Sequence, residues 1–149
     1  MKLGMREPVH RTTCRVIYGD TDAGGVVYYG TYLHYFERGR TEFMRDHGAT
    51  YKNIEERGLI LPVVECYTRY KAPAFYDDLL AIETSLVEVK NVSCRFHYQI
   101  FRVVEETPDS LVLLTKGSTT HAVVDRNGKL TKLPEDIIEF LKTICPSSV

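Results

Sequence analysis

The chain has no tryptophan, only four cysteines and no long apolar run. A membrane-spanning helix needs about 20 consecutive apolar residues, so no integral membrane segment is expected. Cys14, Cys66, Cys94 and Cys145 are far apart and form no C-x-x-C pair. That excludes the usual zinc spacings, and no metal site is expected. Residues 1–13 are polar and charged and lack the apolar stretch of a secretory leader. The expectation is a cytoplasmic protein with reduced thiols. Charge of one sign is missing too, with 19 Lys and Arg against 20 Asp and Glu. This implies no general polyanion-binding surface and no nucleic-acid partner. No G-x-S-x-G elbow, no H-E-x-x-H pair and no glycine-rich phosphate loop occur, which disfavours serine hydrolase, metallohydrolase and nucleotide chemistry.

What is present describes an ordered globular protein. Hydrophobic residues make up 44%, with ten Tyr and six Phe among 149 residues. That length predicts a single domain over 1–149. Residues about 11–19 alternate as a first strand. From Tyr29 the period changes, and Tyr32, Leu33, Phe36, Phe43 and Met44 fall near one helical face ending at Gly48. A short helix is predicted at about 50–57, closed by Gly58. Strands follow at 61–71, about 79–90, about 92–105 and about 111–125, with turns at 107–109 and 125–128. Pro134 opens a C-terminal helix through Ile137, Ile138 and Leu141. Four consecutive strands make a largely antiparallel sheet, and the apolar long helix needs that sheet wrapped around it. The expected class is α+β, a hotdog fold. Its long edge strands predict a homo-oligomer.

The most informative segment runs from Arg15 to Tyr32. Asp20 and Asp22 sit where the first strand ends, followed by Gly24, Gly25 and an apolar-aromatic run opening the long helix. A carboxylate facing the N–H groups of a helix start suits acyl transfer. Asp20-x-Asp22-x-Gly24 also looks like the opening of a calcium loop. Position twelve is Thr31 rather than Glu, so bidentate closure is missing. Asp20 is expected to order the loop. His34 is expected as a surface or core histidine, the Glu37, Arg38 and Arg40 group on a solvated helix face, and His97 on a polar sheet face.

Arg15-Val16, Thr21-Asp22, Gly25-Val26-Val27-Tyr28-Tyr29 and Tyr32 together resemble the signature of 4-hydroxybenzoyl-CoA thioesterases. They are most similar to the bacterial acyl-CoA thioesterase branch associated with the Tol–Pal system. Phe36 to Glu42, Tyr70 to Ala74 and Asp77-Asp78 extend the resemblance over about residues 11–140. It implies hydrolysis of acyl-CoA to free acid and CoA, with coenzyme A as part of the substrate and no cofactor. It implies Asp22 as nucleophile or general base and the Tyr29 backbone N–H as the donor that polarises the carbonyl. Gly25, Val26, Tyr28 and Tyr32 would line the acyl site, and Lys90 with Ser93 would contact coenzyme A. A dimer or tetramer is implied, with the site between subunits. An acyl carrier protein thioester is the alternative substrate, and a non-catalytic acyl-CoA-binding module the alternative role.

Overall fold

In a computed structural model, residues 3–104 and 110–145 are described. The chain runs β1 (His10–Arg15), α1 (Tyr32–Asp46), α2 (Tyr51–Glu56), β2 (Val63–Tyr70), β3 (Leu79–Val89), β4 (Ser93–Val103), β5 (Leu111–Ala122) and α3 (Glu135–Ile144). The expected element order is present. The turn expected at 107–109 lies outside the described residues. The five strands form one antiparallel sheet in the order β1-β3-β4-β5-β2. Consecutive strands would most simply form a meander, yet β2 pairs with β5 and stands at the far edge. The sheet thereby curls around α1.

The α1 stripe that meets the sheet is Tyr32, Tyr35, Phe36, Gly39, Phe43 and Met44, all buried. This is the i, i+3, i+4, i+7 spacing of one helical face. Phe36 stacks on Tyr98 of β4 at 4.4 Å between ring centroids. Its ring also lies directly over Gly117 of β5. At Gly39 the helix passes so close to β3 that an added Cβ would stand 2.8 Å from Ile82 Cγ2. Gly48 ends the helix at φ +95°, a left-handed conformation that favours glycine. The opposite sheet face is crossed by the chain's beginning. The Arg6 N–H donates to Ser85 Oγ, and His97 Nδ1 bonds the Gly4 carbonyl. His97 therefore lies on the polar outer face, as expected, but buried.

A buried polar relay ties β4 and β5 to the loop before β2. His121 Nδ1 lies 3.0 Å from the Leu61 carbonyl and Nε2 lies 2.8 Å from Thr119 Oγ1, which meets the Tyr98 hydroxyl at 2.5 Å. A carbonyl only accepts, so Nδ1 carries the proton and Nε2 accepts from Thr119. Burial, as the largest cause, pushes the His121 pKa down to about 4. The unfolded chain then binds more protons than the native one between about pH 6.5 and 4. Native stability is expected to fall over that interval, His121 alone contributing up to about 3 kcal/mol. Burial holds His97 low as well and acts in the same direction. Urea titrations at pH 7 and pH 4.5 should show this loss, and His121→Gln should flatten it. An unchanged pH slope in the variant would contradict the assignment.

Candidate active site

The first strand stops at Arg15, four residues before the alternation suggests. Val16 instead pairs with the 77–78 turn, through Val16 N–H to Asp78 O and Asp77 N–H to Val16 O. The chain then makes a 3-10 turn at Tyr18–Asp20. Asp20 Oδ2 accepts from the Ile17 N–H at 3.2 Å and from the Tyr35 hydroxyl at 2.9 Å. Burial, and then the bond to Asp20, raises the Tyr35 pKa, so this hydroxyl stays a donor. Asp20 thus orders the loop, as expected from the sequence, and through Tyr35 also anchors it to α1.

Asp22 stands at the tip of a tight hairpin. Its N–H donates to the Val26 carbonyl at 2.9 Å, its carbonyl accepts from the Gly25 N–H at 3.0 Å, and Tyr28 N–H returns to Asp20 O at 2.9 Å. Gly25 has φ +81°, which a side chain at that position would disfavour. Asp22 Oδ1 accepts from the Gly24 N–H at 2.8 Å. Among the described residues Oδ2 has no protein partner, and the side chain is exposed. The loop therefore orients the carboxylate with one oxygen and presents the other.

The helix start lies immediately beyond. Tyr29–Thr31 forms a 3-10 turn and α1 proper begins at Tyr32, where the sequence pattern places Tyr29 in the helix itself. Among the described residues the Tyr29 and Gly30 N–H groups have no acceptor. These are the unsatisfied donors expected at a helix N-terminus, in its positive potential. Three tyrosines fasten this turn. The Tyr70 hydroxyl donates to the Tyr29 carbonyl at 2.7 Å. Tyr32 Oη accepts from the Ala74 N–H at 3.3 Å, and Tyr35 holds Asp20. A cavity of about 310 Å³ opens beside the turn, lined by Val26, Val27, Tyr29, Tyr32, Tyr70, Lys71, Ala72 and Pro73. Its walls are mainly apolar and aromatic, with few polar groups, as in small-molecule sites.

Of the expected site residues, Asp22, Gly25, Val26, Tyr28, Tyr29 and Tyr32 are brought together around the loop and helix start. Tyr28 and Tyr29 are exposed, their ring centroids 4.6 Å apart. A hydrogen bond that the Tyr28 hydroxyl donates to Tyr29, and to a lesser degree the charge of Asp22, raises the Tyr28 pKa. Lys90 and Ser93 are elsewhere. They flank the turn between β3 and β4, with Lys90 N–H donating to Ser93 O at 2.8 Å. Lys90 Nζ is 3.6 Å from Glu88. The Asp22 loop is at the Leu79 end of β3, and about 33 Å of strand separates Leu79 from Val89. Within one chain Lys90 cannot reach Asp22. Glu37 is exposed and lines a second cavity of about 240 Å³ with Leu33, His34, Arg40, Val63, Cys66 and Thr119. Tyr70 and Lys71, which the sequence marks only through the Tyr70 to Ala74 resemblance and without a site role, prove to be site neighbours, their proximity made by tertiary packing.

A five-stranded antiparallel sheet wrapped on one long helix, with an acidic loop at the helix start, defines the hotdog class of thioesterases. The profile of the Thioesterase-like superfamily matches residues 16–141, and the chain belongs to that family. It is 40% identical over 112 residues to the acyl-CoA thioesterase YbgC of Haemophilus influenzae, covering 74% of this chain and 77% of that protein. A crystal structure of a hypothetical protein from Thermus thermophilus superposes with a TM-score of 0.81 at 32% identity, covering 91% of this chain and 97% of that one. The DHNA-CoA thioesterase of Staphylococcus aureus superposes with a TM-score of 0.83 at 26% identity, covering 91% and 90%.

Proposed function

We propose that this protein is an acyl-CoA thioesterase whose reacting carbonyl sits between Asp22 and the first turn of α1. The observation that carries this reading is the pairing of a carboxylate with one free oxygen and unsatisfied N–H groups at a helix start, beside an apolar cavity. The Tyr29 N–H stabilises the carbonyl oxygen as charge builds on it. Asp22 either attacks the carbonyl carbon, giving a mixed anhydride that water opens, or takes a proton from the attacking water. Both routes break the C–S bond, expel CoA as thiolate and need no cofactor. The test is a panel of aliphatic and aromatic acyl-CoA esters with a thiol-reactive dye. Catalytic release of free CoA is expected. Saturable binding with no thiol release would instead make the protein an acyl-CoA-binding module.

The reading extends to a homodimer. Among the described residues strand β2 pairs only with β5, and every residue but Thr68 along it is exposed. Val63, Val64, Tyr67 and Tyr70 are apolar or aromatic residues exposed on this strand. Such an edge invites strand pairing. A second copy paired antiparallel reverses the sheet, so its Lys90 end lies toward the Asp22 end of the first. Lys90 and Ser93 then serve coenzyme A only across the interface. Light scattering at micromolar concentration is expected to give a dimer or its doubled tetramer. A fully active monomer would contradict this arrangement. Among the described residues no helix is long and apolar enough to span a membrane.

A further inference from the structure

Among the described residues the Tyr70 hydroxyl is the one side-chain group bonded to the backbone of the proposed carbonyl-binding turn, and it lines the same cavity from the end of β2. It donates to the Tyr29 carbonyl at 2.7 Å across 41 residues of sequence. Its ring packs edge-on against Tyr32 at 5.1 Å between centroids, which fixes its direction. Burial raises the Tyr70 pKa, so the hydroxyl keeps its proton at neutral pH.

That bond acts on a particular N–H. The Tyr29 carbonyl and the Gly30 N–H belong to one peptide unit, and in a trans peptide the two point in opposite directions. In a helical turn the carbonyls point toward the C-terminus, so with the hydroxyl seated on the Tyr29 carbonyl the Gly30 N–H points out of the start of the helix. Hydrogen bonds in series polarise one another, by roughly 10–30% per bond. A donor on the carbonyl therefore strengthens the N–H at the other end. Among the described residues that N–H has no acceptor. Gly30 is also closely covered by the Tyr28 ring, since an added Cβ would stand 2.9 Å from Tyr28 Cε2.

We infer that Tyr70 is a positioning residue for thioester hydrolysis, holding and polarising the Tyr29–Gly30 peptide so that the Gly30 N–H is a second oxyanion donor beside Tyr29. This rests on the thioesterase reading above. No proton moves through Tyr70. During addition to the carbonyl carbon the two N–H groups share the growing negative charge on oxygen. When the C–S bond breaks, that charge returns to the carbonyl and the electron pair leaves on CoA sulfur.

The test compares Tyr70→Phe with wild type and with Tyr67→Phe, a control on the same strand. Tyr70→Phe is expected to lower kcat about tenfold with KM changed less than twofold, because the lost interaction matters most in the transition state. Isotope-edited infrared spectra of a ¹³C-carbonyl acyl-CoA bound to the slow Asp22→Asn protein supply the second readout. Adding Tyr70→Phe should move the bound carbonyl band back toward its frequency in free solution. Tyr67→Phe should move neither quantity. If removing the hydroxyl disturbs folding, 3-fluorotyrosine at position 70 keeps the ring and makes a stronger donor, and the band should then shift further from the free value. An unmoved band and an unchanged kcat would overturn the inference. If Asp22→Asn abolishes hydrolysis while Tyr70→Phe is normal, only the role of Tyr70 falls. If Asp22→Asn is fully active, the reading of the site falls first.

Discussion

Asp22→Asn is expected to lower acyl-CoA turnover by about 10²–10⁴-fold while acyl-CoA binding is largely kept. Asparagine matches aspartate in size and retains an oxygen to accept the Gly24 N–H, a bond of 2.8 Å in the native loop. The hairpin from Asp20 to Tyr28 is otherwise made of backbone hydrogen bonds that the substitution leaves alone. What disappears is the free, charged oxygen, which either attacks the carbonyl or accepts a proton from water. Asp22 is exposed, so the substitution should cost little stability, within about 0.5 kcal/mol as for most surface changes. Calorimetric titration with an acyl-CoA ester and a thiol-release assay separate binding from turnover. Wild-type turnover in the variant would remove Asp22 from the mechanism.

Gly117→Val is expected to destabilise the fold by about 3 kcal/mol, near the upper end for overpacking. The Phe36 ring sits on Gly117, with Cε2 2.5 Å and Cε1 3.1 Å from where a Cβ would stand. Phe36 is fully buried and stacked on Tyr98, so its ring has nowhere to go. The remaining escape is to lift α1 off the sheet, which would also displace the helix start at Tyr29. At 2–4 °C per kcal/mol for a domain of this size, the melting temperature should fall by roughly 6–12 °C. Activity should fall in the folded fraction as well. A melting temperature within two degrees of wild type would show that the close approach of α1 to β5 is not needed.

How legible these features were depends on how local they are. The Asp20–Tyr32 segment declares itself because loop, glycines and helix start are contiguous, and a hairpin of backbone bonds holds them. The α1 face from Tyr32 to Met44 and the alternation of β4 follow directly from periodicity. The early end of β1 depends on Val16 meeting Asp77 and Asp78, some sixty residues away. The 3-10 turn before α1 was hidden because Tyr29, Gly30 and Thr31 continue the apolar helical pattern. The position of β2 at the far edge was hidden too, since antiparallel pairing of β2 with β3 or with β5 satisfies the same alternation. Tyr70 belongs to the Tyr70 to Ala74 segment of the family resemblance, but the sequence assigns it no role, and its bond to the Tyr29 carbonyl is visible only in the structure. Lys90 stands far from Asp22 within the chain, which a linear motif cannot show.

The central claim places the substrate carbonyl at the start of α1. A crystal structure of the Asp22→Asn protein with an intact acyl-CoA ester tests it most directly. The carbonyl oxygen should lie about 2.7–3.1 Å from the Tyr29 backbone nitrogen. The position-22 side chain should face the carbonyl carbon, and the acyl group should enter the cavity between Val26, Tyr32 and Tyr70. A thioester bound on the outer face of the sheet, or in the cavity beside Glu37 and Arg40 with its carbonyl remote from Tyr29, would contradict the account.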